Sequence, residues 1–382
     1  MRRHILSLIA ASGALMSLPL GLSQGKPSLE GGWRGLLRVP VDQQMICTAI
    51  FDVKDGKYVG LITSFRGDVA VPLTGITVEQ EKVQAQFEVN TVEGPETVTI
   101  DFVMKEDSLV GSAELRIGAK TTPLSYELKR MTPADTDFAR IQFENDPARK
   151  KRHIDAFVAR YPDSELVPFA YEQGAYAGRQ ANDADMMIEY GEKALAMRPD
   201  NFVLMTELGY GYVRKGNADK AEELALRALE LAQKAQMPEG VNAEQWQQAR
   251  KSVLGTNFST LGFAHLHRAQ NLQAAAEKSR AAGQAVLPFK KALEQNGRDD
   301  FSYYGLGVAS VILNDYPTAE SSLAKAAALN GPMAAIARGV LEELYKVTHK
   351  NSLEGLESVI AKARAELGIP APDLRYHPPR KP

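Results

Sequence analysis

The apolar residues of this chain change their spacing once. From Leu29 to Met131 they recur every second residue, and beyond it every three to four. A period of two sends alternate side chains to opposite faces of a strand, whereas a period near 3.6 lines one face of a helix. The chain is therefore expected to fold as a strand-built part followed by a helix-built part, an α+β multidomain architecture. Its 382 residues are enough for two or three such parts.

Eight runs read as strands: 32–39, 44–53, 57–65, 71–79, 82–89, 96–105, 108–117 and 122–131. Val83, Ala85, Phe87 and Val89 alternate with Gln84, Gln86 and Glu88, and Val98, Ile100, Phe102 and Met104 alternate with Thr99 and Asp101. Between the runs stand Asp55-Gly56, Arg66-Gly67-Asp68, Glu93-Gly94-Pro95, Glu106-Asp107 and Gly118, residues that tolerate tight reversals. Short strands joined by hairpins make an antiparallel meander, and closure into a barrel removes its edges. An antiparallel β-barrel of about eight strands is expected over residues 28–131.

The segment Gly31-Gly32-Trp33-Arg34-Gly35 resembles the Gly-x-Trp opening of lipocalin-type barrels, in which the tryptophan plugs one end. An eight-stranded barrel is wide enough either to fill with its own side chains or to hold one small ligand. Both outcomes stay open at this point. In the second, Trp33 stands at the mouth of a site for a small apolar, lipid-like molecule.

Beyond Met131, similar blocks recur, the clearest being LGYGYVRKGNADKAEELALRAL at 208–229. Its counterparts begin near Gly174, Leu261 and Leu306. A Leu-Gly slot holds Gly174-Ala175, Leu208-Gly209, Leu261-Gly262 and Leu306-Gly307, and a first alanine slot holds Met187, Ala221, Ala274 and Ala319. The second alanine slot holds Ala194, Ala228 and Ala326. These blocks resemble the tetratricopeptide repeat (TPR), a pair of antiparallel helices of about 34 residues. The resemblance implies an α-solenoid, in which each hairpin buries its apolar stripe against its neighbours.

On this reading residues 135–167 are lead-in helices and 168–368 a TPR-like solenoid. The third block is displaced, which calls for a helical insertion around 236–255, and Pro288 is expected to kink or restart a helix. Residues 333–368 form a capping helix pair, followed by a Pro-rich tail at 369–382.

Met1-Arg2-Arg3-His4 precedes an apolar run broken by Pro19, with small residues Gly21 and Ser23 beyond it. This is the pattern of a secretory signal peptide spanning 1–23, which places the chain in the periplasm or outside the cell. No second apolar run approaches the ~20 residues a membrane helix needs, so the chain is not expected to span a membrane once the leader is removed. The 45 Lys and Arg against 47 Asp and Glu give no basic excess for nucleic acid. The single cysteine, Cys47, excludes an internal disulfide and reads as a buried small hydrophobe.

No catalytic or metal-binding constellation emerges, and no cofactor is expected. His265 and His267 lie two residues apart, about 200° around a helix, so their rings diverge. The glycines near Tyr210 and Leu306 follow no strand and complete no dinucleotide motif.

The informative positions are those that the repeat register turns toward the groove. They are Phe169, Glu172, Tyr176 and Arg179, then Val203, Thr206, Tyr210 and Val213, then Thr256, Ser259, Phe263 and Leu266, and last Phe301, Tyr304, Val308 and Val311. An aromatic residue occurs in each set, and rigid aromatics dominate protein interfaces. Tyr176, Arg179, Tyr210, Phe263 and Tyr304 are the candidate groove for a protein or peptide partner, with Arg179 as a charged anchor. Alternatively, some of these rings pack against the barrel or the inserted helix. The family's clamp for a terminal carboxylate uses lysine and asparagine, a pattern missing here, so that role is not implied. The chain reads as a non-catalytic exported scaffold, or alternatively as a small-molecule carrier whose helices serve for docking.

Overall fold

The computed structural model describes residues 28–39, 43–63, 69–91 and 94–370. The expected leader, the Arg66-Gly67-Asp68 loop and the tail from residue 371 lie outside them. Eight strands run in sequence: β1 (Gly31–Val39), β2 (Gln43–Lys54), β3 (Lys57–Thr63), β4 (Ala70–Glu79), β5 (Lys82–Thr91), β6 (Gly94–Lys105), β7 (Ser108–Ile117) and β8 (Lys120–Arg130). Each pairs antiparallel with the next, and β8 returns to β1 in a register from Trp33 with Arg130 to Arg38 with Ser125, closing the barrel.

The period of two in the sequence becomes the inside and outside of this wall. Cys47, Ala49 and Phe51 on β2, Phe87 on β5, Ile100 and Phe102 on β6 and Leu124 and Tyr126 on β8 point inward, none more than 3 % exposed. Asp55 and Gly56 both take positive φ, 52° and 73°, the geometry that a two-residue hairpin between right-twisted strands requires. Trp33 is wholly buried, its Nε1 donating to the Leu29 carbonyl at 2.9 Å, and the Arg130 guanidinium lies 4.1 Å from its ring centroid.

Helix α1 (Pro133–Phe143) starts almost at once after β8, with Thr132 as its N-cap. Its Thr136 hydroxyl accepts from the Gly32 amide at 3.1 Å, and Arg140 pairs with Asp52 of β2, which fastens the helix to the barrel. Helix α2 (Pro147–Arg160) packs on α1.

Ten more helices follow: α3 (Val167–Gln180), α4 (Ala184–Met197), α5 (Phe202–Arg214), α6 (Ala218–Lys234), α7 (Ala243–Asn271), α8 (Ala275–Gln295), α9 (Asp300–Ile312), α10 (Tyr316–Ala328), α11 (Ala334–Thr348) and α12 (Leu356–Glu366). The chain divides into two compact units, with the break inside α3 after Ala177. In the second unit each helix from α4 packs on its successor as far as α11, and α12 packs on α10. In addition α5 touches α7, α7 touches α9 and α9 touches α11, the pattern of stacked hairpins. Asp183, Asn201, Asn217, Asn242, Asp299 and Asp315 each cap a helix by accepting a backbone N–H, worth about 1 kcal/mol apiece. The small-residue slots let the helices approach: a methyl group at Gly307 would press on Leu323 of α10 at 2.6 Å.

The extra helical residues expected around 236–255 belong to α7, which runs unbroken for 29 residues. The extra turns simply lengthen its N-terminal end, where Arg250 donates to the carbonyls of Ala232 and Gln233 at the end of α6. Pro288 does not restart a helix, since α8 carries it in its interior, and Ala274, expected at an alanine packing slot, is the N-cap of that helix. Among the described residues no helix is long and apolar enough to cross a membrane.

Candidate functional site

The contacts of α5 with α7, of α7 with α9 and of α9 with α11 make one wall of first helices, the face that the repeat register marks as the groove. Arg179 and Tyr210 meet on it. The Arg179 guanidinium lies 5.7 Å from the Tyr210 ring centroid. That ring in turn meets Phe301 of α9 edge-on, at 6.3 Å and 80°. Helices α3, α5 and α9 thus contribute side chains to one strip, Arg179–Tyr210–Phe301. Both rings are half-buried, with part of their surface left to solvent.

The other candidates lie elsewhere. The Phe263 ring meets Phe289 of α8 edge-on at 5.0 Å and packs beside the core formed by Leu266, Ala285 and Leu306. Helix α8 inserts Phe289 against Gly262 and Gly305, and Phe263, itself half-buried, gives one side to that ring. Tyr304 packs against the core of α10, α11 and α12, and burial pushes its hydroxyl pKa up. Tyr176 is half-buried on the part of α3 that belongs to the first unit. Glu172, Thr206, Ser259 and Leu266, expected on the groove surface, are buried. Thr206 accepts from the Asn257 amide at 2.7 Å, which ties α5 to α7.

Glu207 is the residue that the repeat register does not single out. It pairs with Arg179 from beneath, is 4 % exposed, and its Oε2 has no partner among the described residues. Burial pushes its pKa above the ordinary carboxylate range, and Arg179 only partly offsets this. The sequence does carry a signal for it: Glu207 is the single acid in the otherwise apolar run FVLMTELGYGYV of α5.

Trp33, the expected mouth of a ligand site, is wholly buried with Leu29 and Arg130 against it, and the barrel interior carries the aromatic and aliphatic side chains named above. His265 faces Glu222 at 3.9 Å while His267 contacts Asn271, so the two rings do diverge. Among the described residues no group of three His, Cys, Asp or Glu is placed to hold a metal ion. A cavity of about 790 Å³ by the α5–α6 turn is lined by Lys215, Arg268 and Arg280 together with Asp219 and Glu277, charges of both signs that define no one ligand chemistry.

No family model matches the chain, and no curated protein matches it. Among solved structures it is similar to a thermophilic TPR protein of Thermus thermophilus, at 18% identity and a TM-score of 0.38, over 52% of this chain and 92% of that one. It is also similar to yeast Tom70, at 18% identity and a TM-score of 0.39, over 61% of this chain and 43% of that one. The chain thus spans less than half of Tom70. By the packing of its own hairpins this is a closed eight-stranded barrel followed by TPR-like helix pairs.

Proposed function

We propose that this chain is a non-catalytic scaffold that docks a protein or peptide partner on its wall of first helices, in the periplasm or outside the cell. The observation that supports it is the Arg179–Tyr210–Phe301 strip, half-buried and assembled from three helices. Aromatic rings flanked by an arginine are the residue types that dominate interface energetics. The carrier reading has less support, since the barrel interior holds its own side chains and Trp33 is covered. Export rests on the leader pattern of residues 1–23.

The test is co-purification of the full chain from the cell envelope, followed by mass spectrometry. Tyr210→Ala with Phe301→Ala is expected to lose the partner, whereas Tyr316→Ala, at an exposed ring on α10, keeps it. Equal recovery by all three chains would count against docking on this wall.

A further inference from the structure

The Arg179 side chain is 47% exposed while its partner Glu207 is 5% exposed. Among the described residues the guanidinium makes one hydrogen bond, through Nη1 to Glu207. Of its five N–H donors, four remain, including the whole Nε–Nη2 edge. Glu207 from below and the Tyr210 ring alongside fix the plane of the group, so little side-chain freedom is left to lose on binding. Glu207, the acid beside Arg179, is 4% exposed, and the groove positions that the register marks on α5, α7 and α9 are uncharged. What the strip offers to solvent is therefore one oriented positive fork beside two apolar rings. A buried ion pair contributes little net stability by itself. Its physical consequence here is to hold the guanidinium in place.

We propose that the partner reaches Arg179 with an acidic side chain, whose carboxylate takes the free edge of the guanidinium while adjoining apolar side chains lie on Tyr210 and Phe301. This rests on the wall being the docking surface. Two parallel charge-assisted hydrogen bonds to a planar fork are strong and select carboxylate geometry. Glu207 is a positioning residue in this arrangement, and its own charge competes with the incoming one.

The experiment pans a phage library of random 12-residue peptides, joined to the coat protein by their C-termini, against the immobilised full chain. No free terminal carboxylate is then present, so any acid selected is a side chain. Enriched peptides are expected to share an Asp or Glu beside aromatic or aliphatic residues. Changing that acid to its amide should weaken binding at least tenfold, as should Arg179→Gln, and the two changes together should weaken it no further. Glu207→Gln, which removes the competing charge, should tighten binding several-fold, a gain that damage to the fold does not produce. Enrichment of Lys- or Arg-bearing peptides, or of peptides that bind Arg179→Gln as well as the parent chain, overturns the proposal. A library that yields no enriched peptide overturns the docking surface itself, and the proposal with it.

Discussion

Glu207 brings a charge into an apolar helix and leaves one oxygen unpaired there. Because burial favours its neutral form, the folded chain holds this proton more tightly than the unfolded chain does. Such a group stabilises the fold fully below the ordinary carboxylate range, and the contribution is lost as pH rises through the folded value. Glu207→Gln is neutral at every pH, and Arg179, half in solvent, stays hydrated without its partner. The variant should melt about 2–4 °C higher than the parent at pH 8, the shift produced by roughly 1 kcal/mol, and no differently near pH 4. Melting followed by helical circular dichroism checks this; a lower melting point at pH 8 would mean that the ion pair outweighs the burial. The pair itself was hidden in the sequence, because Arg179 and Glu207 come from different hairpins.

Phe289 shows how one side chain sets the spacing of several helices. It stands against Gly262 of α7, where an added methyl group would sit 2.6 Å from its ring, and against Gly305 of α9. Gly262→Ala gains about 1 kcal/mol of helix propensity but overpacks a full core, which typically costs 1–3 kcal/mol. The expected net effect is destabilisation, and Phe289→Leu should relieve it, so the double variant should lose less than the sum of the single ones in urea unfolding. Additive losses would show that the glycine is not there for the ring. The Leu-Gly slot that carries Gly262 is legible in the sequence. What fills the space opposite it is not, because α8 departs from the repeat length. For the same reason Phe263 and Leu266 sit in a groove by register and beside a core in the structure. Gln295 and Ala292 of α8 also pack across Gly255 in the interior of α7.

The two halves of the chain were legible to different depths. In the barrel, side-chain alternation determines which residues face in, so Phe87, Ile100 and Phe102 could be assigned before any coordinates. In the helical array the hairpins could be read from their small-residue slots, while the surface they present depends on contacts between blocks some 90 residues apart, such as Tyr210 with Phe301. Hydrogen exchange on the full chain, with and without its co-purified partner, addresses that surface directly. Slowed exchange is expected in the partner complex within α5 and α9, at residues 202–214 and 300–312, with the barrel strands unchanged. Protection confined to the barrel, with those two helices exchanging as in the free chain, would contradict it.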